Sequence, residues 1–350
     1  MVGKRVGFLN AMERDTRLDQ VAYSVLDLAI IRESHDPRDA YVRSLDLARQ
    51  AEKLGYKRFW LAEHHNMAHV GSSATPILIG YIAEGTKTIR VGAGGIMLPN
   101  HAPLVVAEQF GTLATLYPGR IDLGLGRAPG TDQTTARALR RNRIETVEEF
   151  PNDLDELQLY LSDENVDGEV RAVPGEGLDI PIYLLGSSMS SAVLAAKKGL
   201  PYAFASHFAP SQFISAVRYY KENFQPSQDR KEPYVISCVN VIAADRDNEA
   251  HELATSFYQM ALGIVRRRSY PLRRPVKSMD GLWTEEEAAA IHQMMACSFV
   301  GSKATVKEDL EQFQEVAQVN EIMICSHIYD QQKRLRSYEI AAECFGVKKH

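Results

Sequence analysis

Short apolar runs alternate with helix-spaced amphipathic stretches along the whole chain, a rhythm that predicts a parallel α/β fold. Strands are expected at 22–29, 58–62, 89–94, 121–125, 182–185, 202–206, 235–243 and 322–325. Eight is the number that closes a (β/α)8 TIM barrel. The helices between them have legible ends. Asp36-Pro37 offers an N-cap and a first-turn proline, and Gly55 stands where a terminating glycine belongs. Leu47, Ala48, Ala51 and Leu54 form the apolar stripe between them. Thr305 and Glu308 have capping-box spacing ahead of a second stripe, Val306, Leu310, Phe313 and Ala317. Residues 163–179, rich in Asp, Glu, Gly and Pro, read as a surface loop. Residues 244–300 are too long for an ordinary connection and read as a helical insertion after strand seven, either a lid over the mouth or a peripheral decoration. The chain, 1–350, is expected to form a single barrel domain, with 1–20 as a flexible N-terminal extension.

Composition narrows the function classes. A net charge of -5 carries no electrostatic footprint for nucleic acid. The densest basic stretch, Arg266, Arg267 and Arg268 with Arg273 and Arg274, reads as a solvated helix end and loop; the alternative is an anion contact. None of the four cysteines forms a C-x-x-C pair, which argues against zinc ribbons and thioredoxin-like redox chemistry. Cys238 and Cys325 sit in apolar runs and read as buried thiols, a pattern that suits a reducing cytoplasm. Residues 1–20 show no apolar signal-peptide core, and no apolar run is long enough to span a bilayer.

In a barrel of this kind the chemistry sits at the C-terminal ends of the strands. Those ends carry Glu63-His64-His65, Gly94-Gly95, Gly126-Arg127, Gly186-Ser187-Ser188, Ser206-His207, Asn240 and Ser326-His327. Adjacent side chains at a strand end point in different directions, so His64 and His65 cannot share one task. Their spacing is not that of H-E-x-x-H, which argues against a metal. A histidine here suits acid-base or cofactor contact, since it titrates near neutrality. Arg127 follows strand four, and Ser187, Ser188, Ser190 and Ser191 open a helix after strand five. That combination suits an anion site at a helix N-terminus; plain capping by Ser188 with Arg127 in a salt bridge fits as well. No dinucleotide fingerprint, P-loop or G-x-S-x-G elbow is present.

Several ordered motifs resemble the bacterial-luciferase-like flavin-dependent monooxygenases of the "group 1" branch. They are Ala62-Glu63-His64-His65-Asn66, Val91-Gly92-Ala93-Gly94-Gly95-Ile96-Met97-Leu98-Pro99, the run from Pro118 to Arg127, Leu184-Leu185-Gly186-Ser187-Ser188, the run from Gly199 to Phe208, and the tail from Val300-Gly301-Ser302 to Tyr338. The resemblance extends over nearly the whole chain from about residue 21. It implies FMN at the barrel mouth, with Leu185, Gly186 and Ser187 in contact and the phosphate near Arg127, Ser188 and Ser191. It implies a flavin ring against Gly94-Gly95, where the family commonly has a non-prolyl cis peptide, and it matches His64 to the family's catalytic histidine. Reduced FMN from a separate reductase would then be used with O2 to oxygenate a small organic substrate, in a homodimer. A light-emitting luciferase chain has cysteine where Gly126 stands and glutamate where Ser187 stands, so light emission is not implied. Two rivals remain: hydride transfer with the deazaflavin F420, which would want extra basic residues such as the arginines at 266–274, and flavin binding without turnover.

Overall fold

The computed structural model describes residues 18–128, 130–139, 149–227 and 230–347. The expected extension falls mostly on residues outside this set. Its last part, Leu18–Gln20, is a helical turn that buries Leu18 in the core.

Each predicted strand is present: β1 (Ala22–Asp27), β2 (Arg58–Leu61), β3 (Arg90–Met97), β4 (Ile121–Gly126), β5 (Ile182–Gly186), β6 (Tyr202–Phe204) and β7 (Val235–Ala243). A further strand, β8 (Ser298–Gly301), precedes the last, β9 (Glu321–Cys325). All pair in parallel, and β1–β7 with β9 close an eight-stranded ring through the β6–β7, β7–β9 and β9–β1 pairings. β8 lies outside that ring. It pairs with the upper half of β7, Asn240 to Ala243, beginning at the residue where the β7–β9 pairing ends. The stretch expected to be a helical insertion therefore contains helices Asp247–Val265 and Glu285–Met294 and also this strand.

Helix ends follow local chemistry. Asp36 caps the Pro37–Lys53 helix by accepting from the Asp39 N–H, and Gly55 ends it with φ +76. The expected Thr305–Glu308 capping box is not formed. The Lys303–Ala317 helix starts earlier, at Ser302, because Thr305 Oγ1 donates to Asp247 at 2.8 Å. A capping box occurs instead at Thr284 and Glu287.

Strand residues alternate between two cores, as a pleat requires. Val25, Phe59, Leu61, Val91, Leu123 and Ile324 face the helices, while Leu26, Trp60, Tyr183, Ile236 and Met323 fill the barrel. Below that apolar layer a buried charged network plugs the N-terminal end. Arg58 donates to Asp122 at 2.7 Å, to Tyr183 at 2.7 Å, and to both Glu321 oxygens at 2.8 and 3.1 Å. Arg90 also reaches Asp122 at 2.6 Å, and Tyr234 donates to Glu321 at 2.7 Å. At the upper end Arg334 bonds Asp27 at 2.7 Å and the Ser326 carbonyl at 3.1 Å, tying β1 to the loop after β9 where the ring closes. Burial pushes the Asp27 carboxyl up, but the Arg334 charge, the Ser44 bond and Arg43 outweigh it and hold the group below the ordinary range. No described helix is long and apolar enough to cross a membrane.

Candidate active site

The strand ends open into a cavity of about 350 Å³ at the barrel mouth. Of the residues predicted for the site, His64, Gly94, Arg127, Leu185, Gly186, Ser187, Ser188 and Ser191 all line it. Gly95 is not on its wall; it packs toward β4, where an added Cβ would lie 2.7 Å from the Gly124 carbonyl oxygen. The Gly94-Gly95 peptide is cis. At Gly94 an added Cβ would meet Leu26 at 2.8 Å and Trp60 at 3.1 Å, so glycine leaves the cavity floor open there.

One rim gathers hydrogen-bond donors. Ser188 is the N-cap of the Met189–Lys198 helix, yet its side chain makes no capping bond. Its hydroxyl lies 3.1 Å from Ser190 Oγ, which in turn accepts from Arg127 at 2.9 Å. Ser190 holds Arg127 at this rim without itself lining the cavity. The Ser191 hydroxyl is committed elsewhere: it donates to the Ser188 carbonyl at 2.6 Å and meets the Tyr202 hydroxyl at 2.9 Å. An added Cβ at Gly186 would fall 1.9 Å from Ser191 Oγ, so only glycine lets the strand pass this close beneath the helix turn. The Met189 N–H is taken by Gln212 Oε1 at 2.8 Å, so the Arg127 guanidinium, the Ser188 hydroxyl and the remaining first-turn N–H groups form the donor set that fits a phosphate.

The Glu63-His64-His65 run divides its side chains. Glu63 is buried away from the cavity, accepting from His65 and His101 at 2.8 Å and from the Met97 N–H at 3.1 Å. Burial pushes its carboxyl up, but these bonds outweigh that and hold it low. His64 alone of the three faces the cavity. Its Nδ1 lies 3.2 Å from the Gly130 carbonyl, an obligate acceptor, so Nδ1 carries the proton and Nε2 keeps a free lone pair. Burial holds the His64 pKa below the ordinary imidazole value, with His65 adding to it, against the Gly130 bond and Glu63.

Other histidines reach the same cavity. His69 follows β2, His207 follows β6 and His327 follows β9. Burial lowers their pKa values to about 4, about 3 and about 3 respectively. The strand-end pattern held a signal for His207 and His327. For His69 it held none, since that ring is aimed by Ser269 at 3.1 Å, 200 residues away in sequence. A stability consequence follows. Above an unfolded-state pKa of about 6.5 these rings are neutral whether folded or not. As pH falls below it the unfolded chain takes up protons that the folded chain resists, so each ring costs at most about 1.4 kcal/mol per pH unit until its own lowered pKa. Thermal melting should be flat above pH 7 and decline steeply from pH about 6.5 to 4. A melting temperature unchanged between pH about 7 and 5 would show that these rings are not dry.

The insertion after β7 supplies the rest of the wall through Phe257, Met260, Ile264, Met294 and Met295. Three of the five arginines at its far end have local partners. Arg266 pairs with Glu287 at 2.7 Å, Arg273 lies over Tyr270, and Arg274 lies over Tyr329. All four cysteines are free thiols, with Cys238 and Cys325 buried. No group of three or more possible metal ligands occurs among the described residues.

Comparison with known proteins agrees with this architecture. The family model for luciferase-like monooxygenases matches residues 23–318. A luciferase-like monooxygenase of Escherichia coli is 50% identical over 92% of this chain and 96% of its own. The N-acetyl-S-alkylcysteine monooxygenase of Bacillus subtilis is 30% identical over 92% of this chain and 98% of its own. The crystal structure of apo-MsnO8, 33% identical, superposes with a TM-score of 0.83 over 94% of this chain and 100% of its own. Alike in fold alone are the oxygenating constituent of 3,6-diketocamphane monooxygenase in complex with FMN, at 18% identity over 95% of this chain and 99% of its own (TM-score 0.67), and an F420-dependent secondary alcohol dehydrogenase, at 15% over 93% and 99% (TM-score 0.66). The chain belongs to the luciferase-like monooxygenase family and is an oxidoreductase of that family.

Proposed function

We propose that this protein is an FMN-dependent monooxygenase that oxygenates a small organic substrate in the barrel mouth. The observation that carries the reading is the pairing, in one cavity, of phosphate-fitting donors at Ser188 and at Arg127, which Ser190 braces, with a largely apolar interior faced by His64. Bound reduced FMN, delivered by a separate reductase, supplies the electrons by which O2 places one oxygen atom on the substrate and releases the other as water. Arg127, the Ser188 hydroxyl and the remaining first-turn N–H groups would hold the phosphate, with Leu185, Gly186 and Ser187 beside it. Gly94 leaves room for the ring. The free lone pair on His64 Nε2 accepts a proton at the cavity wall and can return it, which makes it the general acid-base. Phe257, Met260 and Ile264 keep that wall dry. The 30%-identical relative is named for oxygen transfer, which favours this reading over hydride transfer with F420.

The test is titration with FMN, riboflavin and F420, followed by oxygen uptake. FMN should bind more tightly than F420, and the reduced complex should consume O2. Tighter F420 binding without oxygen consumption would sink the reading in favour of hydride transfer. Arg127→Ala should weaken FMN about ten-fold or more, the cost of a charge-assisted bond, and leave riboflavin unchanged. Equal losses for both ligands would remove Arg127 from the phosphate.

A further inference from the structure

The cavity has a second polar end. In the eight-stranded ring β9 lies four strands from β4, so its end stands across the mouth from Arg127. There β6, β7 and β9 run side by side, and Asn240 stands in register with Cys325. The strand ends bring together His207, Asn240 and His327, all on the cavity wall. Each has a buried polar atom with no protein partner: His207 Nδ1, Asn240 Oδ1 and His327 Nδ1. Asn240 is 2% exposed and His327 5%.

The orientation of Asn240 is set by its neighbours. Its Nδ2 donates to the His207 carbonyl at 2.7 Å and lies 3.0 Å from Ser298 Oγ. A carbonyl can only accept, so the amide cannot be turned over, and Oδ1 is left pointing away as a bare acceptor. The His327 ring stacks on Phe257, centroids 5.4 Å apart, and its Nε2 lies 3.3 Å from Cys325 Sγ. Its Nδ1 can be donor or acceptor, according to the tautomer. Buried polar groups are normally paired, so these three atoms are positioned to meet polar groups of a ligand.

We infer that Asn240, His207 and His327 form a subsite for an uncharged substrate head that carries an O–H or N–H donor, a hydroxyl or carboxamide on an apolar body. A hydroxyl or amide donates to Asn240 Oδ1 and accepts from an imidazole N–H. An ether or alkane cannot donate. A carboxylate only accepts and would face the Asn240 oxygen. An ammonium would be an uncompensated buried charge, because no carboxylate lines the cavity among the described residues. The neighbouring wall of Met260, Met294, Met295, Met323 and Phe257 suits an aliphatic or thioether body. Assigning this head to the substrate rests on the oxygenation reading above; the binding preference itself does not.

Calorimetric titration of the protein, with and without FMN, by 1-hexanol, hexanamide, methyl pentyl ether, hexanoate and hexylamine tests the inference. The alcohol and the amide should bind about ten-fold or more tightly than the other three, the effect of leaving a buried polar group unpaired. Asn240→Leu should abolish that preference. His327→Phe, which keeps the stack on Phe257, should narrow it without changing FMN affinity. Equal binding of alcohol and ether overturns the inference. So does tighter binding of hexanoate or hexylamine, or a preference that survives both substitutions. A preference that behaves as expected in a protein that fails to bind FMN supports the subsite and removes the cofactor reading instead.

Discussion

His64→Ala is expected to lower the rate of oxygen-dependent turnover by about 10²–10⁴-fold, the usual worth of a positioned acid-base. FMN affinity should change little, because the proposed phosphate contacts are made by Arg127 and Ser188, not by His64. The pH profile discriminates further. The His64 pKa is lowered by burial, so its neutral, proton-accepting form dominates at neutral pH. Turnover should therefore fall on the acid side, below the ordinary imidazole value, and the residual activity of a His64→Asn variant should lack that limb. A substituted enzyme with full turnover, or an acid limb that persists unchanged, would move the proton-handling role to another residue. His69 and His207 are the nearest candidates, since both line the cavity and both couple to the charge of His64.

Arg58→Ala should cost about 3–5 kcal/mol of folding stability, read as a lowered urea midpoint, because it strips the main cation from a buried carboxylate. Glu321 is fully buried and would keep only Lys57, 3.7 Å away, as a charged partner. Asp122 would retain Arg90. Removing both members, as Arg58→Met with Glu321→Leu, should recover part of that loss, since well-packed apolar replacements of a buried ion pair are often neutral. A single substitution costing less than about 1 kcal/mol would show that the network is hydrated rather than dry. The plug lies at the N-terminal end of the barrel, away from the mouth, so cofactor affinity in the folded fraction should be unaffected.

The strands were legible because each is an apolar run whose partners need not be known. β8 was not: Ser298–Gly301 is four residues long and gains meaning only from pairing with the upper half of β7. Thr305–Glu308 had the spacing of a capping box, and a residue 58 positions away, Asp247, claimed the threonine. Gly94 and Gly95 looked equivalent in the motif, but the pleat turns one to the cavity and the other to β4. Ser191 looked like a hydroxyl donor to a ligand; Tyr202 and the Ser188 carbonyl occupy it.

By itself the sequence determined the barrel, the end of it that carries chemistry, and the division of Glu63-His64-His65 into different directions. Those follow from strand periodicity and from glycine, serine and histidine placed at strand ends, which are local properties. Only the tertiary structure decided which atoms are left without partners. Glu63 is satisfied by His65 and His101, and Arg127 reaches Ser190, whereas Asn240, His207 and His327 each keep one buried atom bare. Whether a polar group is spent or available depends on neighbours brought in from distant parts of the chain, and that is settled when the ring closes.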